Sequence, residues 1–215
     1  MKINNKYLGL VTKKFNDFFL VDLKNQGNSL NSEKFLCKVR KSVNFKNQLI
    51  YVGDAVVIEN IDLKSKRAVI TCLKKRKNLL VRPSVANISN IYIIFSVEEP
   101  ALNFSQVNRF LISAESMGVE VSLVLTKCDL ISDKRKFTLI DKFEKWGYQA
   151  ITLNLEKSDS FFNLLAELKQ KKCSIFMGPS GVGKTTLLNM IIPGLQNSTS
   201  PVSYTHLTLP TSYAV

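Results

Sequence analysis

The sequence predicts an α/β protein in two dissimilar parts, a small basic β-barrel followed by a parallel sheet with helices on its faces. Three observations carry this. Short turn-punctuated strands fill the first seventy or so residues, strands and helices alternate after them, and the positive charge sits almost entirely in the first part. The 215 residues are 45% hydrophobic and 22% charged, which is enough apolar material for one or two packed domains and excludes a disordered or collagen-like chain.

The first five strands are expected at Tyr7 to Val11, Phe18 to Leu23, Phe35 to Val39, Asp54 to Asn60 and Arg67 to Leu73, between pieces rich in Asn, Gly, Lys and Ser. Five strands in so short a span fit an OB-type barrel better than a sandwich, which takes about seven strands and a hundred residues. An SH3-like barrel is the alternative. Residues 1 to 80 hold 17 Lys and Arg against 6 Asp and Glu, an excess of +11, whereas residues 81 to 184 hold 13 against 11. Such a basic barrel suits RNA, with lysines on phosphate and aromatic rings under bases. Tyr7, Phe15, Phe18, Phe19, Phe35, Phe45 and Tyr51 are the available rings, and Phe15 and Phe45, beside lysine and asparagine, are the candidates for exposure.

After Lys74-Lys75-Arg76-Lys77 the pattern changes. Ile91 to Val97 is an apolar run of the kind a parallel strand buried on both faces shows, and Val107, Phe110, Leu111, Ala114 and Met117 then fall at helical spacing. A strand at Glu120 to Leu125, a helix at Lys134 to Trp146, a strand at Ala150 to Leu153, a helix at Phe161 to Leu168 and a strand at Cys173 to Met177 follow. This order places ligands at the carboxyl ends of the strands.

There stands Gly178-Pro179-Ser180-Gly181-Val182-Gly183-Lys184-Thr185, the full GxxxxGK[ST] phosphate loop, followed by Thr186 and an apolar helix from Lys184 to Ile192. Its glycines let backbone N–H groups curl around phosphate oxygens, Lys184 brings a compact cation to the β and γ phosphates, and Thr185 offers a hydroxyl to Mg²⁺. The helix turns its positive end toward the same phosphates.

A second motif, Thr126-Lys127-Cys128-Asp129, ends the strand Glu120 to Leu125 and has the [NT]KxD form that reads guanine. An aspartate there accepts both N1–H and the exocyclic N2–H of the base, while the lysine stem lies along the ring. Alone the pattern is weak, turning up by chance in about one chain in ten of this size. Its place in the same sheet as the phosphate loop strengthens it. The order is inverted, since Asp129 precedes Gly178 by about fifty residues and an ordinary GTPase runs the other way. A sheet tolerates this when its termini are joined and the chain reopened elsewhere.

With Lys77-Asn78-Leu79-Leu80-Val81-Arg82-Pro83-Ser84-Val85-Ala86-Asn87, Glu99-Pro100 and Arg109-Phe110-Leu111, these features resemble the ribosome small-subunit-dependent GTPase A family over roughly residues 5 to 195. The resemblance implies an OB-type RNA-binding domain at 1–77 and a circularly permuted P-loop GTPase domain at 78–197. It also implies GTP/GDP and Mg²⁺ as ligands, with Thr126, Lys127, Cys128 and Asp129 at guanine and Gly178 to Thr186 at the phosphates. The implied role is late maturation of the 30S ribosomal subunit, with 16S rRNA as partner, by a cytoplasmic monomer. The family more often has Asn where Thr126 stands, and Ser-Ala near Thr152 to Leu155 where this chain has Leu153-Asn154.

The family's DxxG segment and zinc ligands do not occur in the sequence, and Thr185 to Val215 holds no charged side chain. DxxG helps hold Mg²⁺ and senses the γ-phosphate, so a chain without it is expected to bind nucleotide weakly and not to hydrolyse it. At least two further strands of such a sheet are expected after Ile192. Residues 198–215, containing Val202 to Tyr213, read like translated adapter or vector sequence, with a divergent disordered tail as the alternative. The four cysteines, Cys37, Cys72, Cys128 and Cys173, are widely spaced beside apolar residues, which predicts reduced core thiols. No apolar run approaches the ~20 residues of a membrane-spanning helix, and Met1 to Asn5 lacks a signal peptide's apolar stretch. Two other readings of the residues stay open: a P-loop ATPase or kinase in which Thr126 to Asp129 is only a turn, and an RNA-binding module with a vestigial nucleotide site.

Overall fold

Alternating apolar residues bend the first part of the chain into a closed barrel. In the computed structural model, which describes residues 2–3, 5–23, 33–40, 49–81, 84–154, 158–171, 173–192 and 207–210, β1 (Lys2–Ile3) is followed by β2 (Tyr7–Phe15), β3 (Phe18–Leu23), β4 (Glu33–Val39), β5 (Ala55–Asp62) and β6 (Arg67–Leu73). Phe45, Arg82, Pro83, Leu155, His206 and most of the tail lie outside the described residues. The strand order is β1-β5-β2-β3-β4-β6, and an antiparallel β5–β6 pairing closes a ring of five. β4 and β6 run parallel. That closure, with its first strand shared between two partners, is the OB arrangement and decides against the SH3-like alternative.

β2 can serve two partners because it bends. It pairs β5 over Tyr7 to Leu10 and β3 over Gly9 to Phe15, with a bulge between Val11 and Lys13. Val11, Val21, Phe35, Val56, Ile58 and Ile70 fill the interior. The rings divide as this packing dictates: Phe19 and Phe35 are core, and Phe15 is 51% exposed. Cysteines 37, 128 and 173 are buried free thiols, and burial pushes Cys37 up to about 12. Cys72 is exposed, which corrects the expectation for that residue, because a register shift between β5 and β6 next to it breaks the alternation that buries Ala68 and Ile70.

One member of the basic run turns inward. Arg76 reaches the fully buried Asp54 with Nε and Nη2, both at 2.7 Å, and its Nη2 also donates to the Leu49 carbonyl. Asp54 accepts a further bond from the Tyr51 N–H, and the guanidinium lies 5.0 Å from the Tyr51 ring. Beyond it β7 (Leu79–Leu80) and β8 (Val85–Ala86) form a small hairpin, tied back by a Val52–Val85 bridge. Asn78 and Asn87 hold it. Asn78 bonds both backbone groups of Ile88, and Asn87 accepts from Lys77 N–H and donates to the Gly53 carbonyl. The first compact unit thus runs through Ile88 and the second starts at Ser89.

In the second unit β9 (Asn90–Ser96), α1 (Phe104–Glu115), β10 (Glu120–Thr126), α2 (Asp133–Lys145), β11 (Ala150–Thr152), α3 (Ser158–Gln170), β12 (Cys173–Met177) and α4 (Lys184–Ile191) alternate as expected. The sheet order is β11-β10-β9-β12-β13, with β9 to β12 all parallel. All seven residues of β9 are buried. Tyr92, Ile94, Val124 and Phe176 pack against Leu164 and Leu168 of α3 and Leu187 and Leu188 of α4. Side chains alternate across a strand, so Phe95 faces the other way, edge-on to Phe110 of α1. Asn103 and Ser132 cap the N-termini of α1 and α2. After Ile192 the described strand is β13 (Leu207–Pro210), antiparallel on the outer edge of β12. Among the described residues no helix is long and apolar enough to cross a membrane.

Arg76→Ala would leave the Asp54 carboxylate buried and unpaired, so it is expected to lower the unfolding free energy by about 3 kcal/mol. A urea midpoint equal to that of the parent protein would contradict this.

Candidate functional site

Both sequence motifs emerge at the carboxyl ends of the strands, where the strand order reverses. The chain lays β10 and then β11 on one side of β9 and crosses to β12 on the other. Such a reversal opens a crevice between the loops that leave the two central strands. The loop after β12 is the phosphate-loop sequence, and the loop after β9 is Val97 to Asn103.

Gly178 leaves β12 against the backbone of β9. A Cβ there, at φ 153°, would lie 2.1 Å from the Ile94 carbonyl oxygen, so no side chain fits. Val182 is buried in the core shared with α3 and α4 and anchors the middle of the loop. Gly183 then takes the left-handed conformation, φ 88°, that starts α4. Pro179 is half-buried and Ser180 and Gly181 are exposed.

Lys184 is only 4% exposed. A buried ammonium needs partners, and this one donates to the carbonyls of Gly178, at 3.0 Å, and Pro179. Burial lowers its pKa below the usual lysine value. Thr185 is half-buried in the first turn of α4 and Thr186 exposed beside it. The loop, the buried cation and the helix terminus converge as an anion cradle does.

Thr126 connects this cradle to the second motif. Its hydroxyl is fully buried and lies 2.7 Å from the Val182 carbonyl and 3.3 Å from that of Phe95. A hydroxyl has one proton to donate, and the shorter contact assigns it to Val182. The end of β10 is therefore bonded to the middle of the phosphate loop. Lys127 follows in the left-handed region, φ 56°, and its ammonium donates to the Glu99 carbonyl. Cys128 is buried in a single 3₁₀ turn, its thiol 3.3 Å from the Leu125 carbonyl and its pKa raised mainly by burial. Asp129 stands exposed on that turn, where its carboxylate can meet a ligand. Leu153 is buried and its N–H donates to the Leu125 carbonyl, and the Asn154 N–H donates to Ser160 Oγ.

Ser96 was not singled out by motif, and in the turn after it Glu99-Pro100 was noted only as part of the family resemblance. Ser96 is 1% exposed and its hydroxyl donates to the Pro100 carbonyl at 2.7 Å. The available signal was a hydroxyl inside the apolar run Ile91 to Val97, since a buried hydroxyl requires a partner. Among the described residues no cluster of three or more His, Cys, Asp or Glu could hold a metal ion.

Residues 73–208 match the model of the RsgA GTPase family. The chain belongs to that family. It is 36% identical over 207 residues to the small ribosomal subunit biogenesis GTPase RsgA of Prochlorococcus marinus strain NATL1A, covering 93% of this chain and 66% of the relative. The homologue of the same name in a Synechococcus species is 38% identical over 170 residues, 79% of this chain and 56% of the relative. The chain thus spans between about half and two thirds of the length of these relatives. The crystal structure of YjeQ from Thermotoga maritima superposes with a TM-score of 0.78 at 29% identity, covering 94% of this chain and 74% of that one. That of YloQ, described as a circularly permuted GTPase, gives 0.74 at 26% identity over 88% and 65%. The inverted order of the two motifs is thus the circular permutation of the fold, β10 with its TKxD turn preceding β12 and its phosphate loop.

Thr126→Val removes the proton that joins β10 to the loop and leaves the Val182 carbonyl buried without that donor. It is expected to cost about 2 kcal/mol of stability and to weaken nucleotide binding in parallel. Unchanged thermal unfolding and unchanged affinity would show the bond to be idle.

Proposed function

We propose that the chain binds GTP and GDP across the reversal of strand order, and that it serves a GTPase acting in maturation of the 30S ribosomal subunit. The observation that supports this reading is the Thr126 hydroxyl on the Val182 carbonyl, which joins two motif segments that are separately ambiguous. Gly178, Pro179, Ser180, Gly181, Val182 and Gly183 would wrap the phosphates with backbone N–H groups, and Thr186 would extend that contact. Lys184 would exchange its two carbonyls for β and γ oxygens, stabilising the charge of phosphoryl transfer. Thr126, Lys127, Cys128 and Asp129 would hold guanine. One hydroxyl oxygen completed by phosphates and water suits Mg²⁺, a hard ion that keeps much of its hydration, and Thr185 is the residue that would hold it. When bound, the ion would neutralise phosphate charge.

For the barrel we propose contact with 16S rRNA by a monomeric cytoplasmic protein. Supporting this are the +11 charge of residues 1 to 80, the exposed Phe15 and the lysines interleaved with rings, Lys38 4.5 Å above Phe18 and Lys14 5.5 Å from Tyr51.

Asp129→Asn is expected to move preference from guanine to xanthine nucleotides, because Asn donates where Asp accepts. Titration with GDP, XDP and ADP reads this directly, and an unaltered preference for ADP would turn the site into that of an ATPase or kinase. Binding of the chain to a 16S rRNA fragment is expected to fall steeply as salt rises from low to physiological concentration, since each neutralised phosphate releases counterions. A flat salt dependence would count against a phosphate-tracking barrel.

A further inference from the structure

The turn after β9 bonds to one motif, lies beside the other and belongs to neither. It covers Glu98 to Ala101 and is closed at its base by the Leu102 N–H on the Val97 carbonyl and by the buried Ser96 hydroxyl on the Pro100 carbonyl. Glu98 pairs with Arg135 of α2. On the opposite side, Pro100 Cδ lies 3.5 Å from where a Cβ on Gly181 would sit. Between these contacts Glu99 stands in the left-handed region, φ 49°, and offers its carbonyl to the Lys127 ammonium. Glu99 and Lys127 both carry side chains in a conformation that such residues adopt only where their surroundings fix it.

We propose that this turn is the positioning element of Lys127. Ser96 fixes the turn, the turn presents the Glu99 carbonyl, and the carbonyl holds the lysine so that its stem forms one wall of the purine slot. The inference rests on the reading of Thr126 to Asp129 as a guanine site and deepens it. A lysine stem has four flexible carbons and loses rotamer freedom when a ligand orders it. Anchored beforehand, it meets the base already ordered, and affinity rises without a new contact to the nucleotide. The anchoring group is backbone, so no substitution at Glu99 deletes it. Ser96 is the side chain that controls it, from a position inside the sheet.

The test is a double-mutant cycle in the full chain, with GDP and inorganic tripolyphosphate as probes in calorimetric titrations at one salt concentration. Ser96→Ala is expected to weaken GDP binding about fivefold and leave tripolyphosphate unchanged, because Lys127 faces the base and not the phosphates. Lys127→Met should weaken GDP at least as much, and adding Ser96→Ala to it should change nothing further. Arg135→Gln, which loosens the turn from α2 without entering the sheet, should cost about twofold and be equally silent in the Lys127→Met background. Losses that multiply across the cycle, or an equal loss for tripolyphosphate, would overturn the inference and make Ser96 a general support of the sheet. A parent protein that binds GDP no better than ADP overturns the guanine site itself, a failure visible before any variant is made.

Discussion

Strand β9 constrains everything in the second unit. All seven of its residues are buried, it pairs in register with β10 on one side and β12 on the other, and one face packs with α3 and α4 while Phe95 on the other meets Phe110 of α1. Each buried isoleucine there contributes about 2 kcal/mol of apolar burial, and a slip by one residue would exchange the faces. The strand therefore cannot shift, and the loops at its carboxyl end inherit that fixity. Gly178 is measured against it through the Ile94 carbonyl, Thr126 through Phe95, and the Glu98 to Ala101 turn is its continuation.

The strands and helices were legible because both periodicities are clean. Phe18–Leu23, Arg67–Leu73 and Cys173–Met177 fall where alternation and apolar runs put them, and the bounds of other strands and helices differ by a few residues. The hairpin Leu79–Leu80 and Val85–Ala86 was not legible, since two-residue strands leave no pattern and hold by asparagine bonds to distant backbone. Arg76 was hidden for the opposite reason. In a run of four cations nothing local distinguishes the one whose carboxylate partner lies 22 residues earlier. Cys72 shows the same limit, because an apolar neighbourhood in sequence does not say which side of a barrel strand a thiol occupies.

At the candidate site, the residue types could be read and their joining could not. Lys184 and Asp129 announce themselves through motif spacing, because the two motifs fix which residue type stands at those positions. Thr126 looked like a departure from the more frequent asparagine. In space its short hydroxyl reaches the loop that lies 56 residues later in the chain. Ser96 belongs to no motif, and Glu99-Pro100, though part of the family resemblance, said nothing of a role for its carbonyl, which exists only through the turn. Function lives in such a site and not in the fold that carries it.

The permuted order also has a consequence for how the protein is made. Synthesis runs from the N-terminus, so β9, β10 and β11, with the turn that bears Asp129, leave the ribosome before any of the phosphate loop. β12 must then return across the sheet to pair with β9, and the Ser89–Cys173 bonds that seat it join residues 84 positions apart. Parallel pairing at such separation forms late. Until then the nascent chain holds a half-built sheet, with one edge of its most apolar strand bare and open to wrong partners. The strand that covers this edge of β9 also delivers the glycine-rich loop, so that loop meets the turn bearing Asp129 only once the β9–β12 pairing has formed.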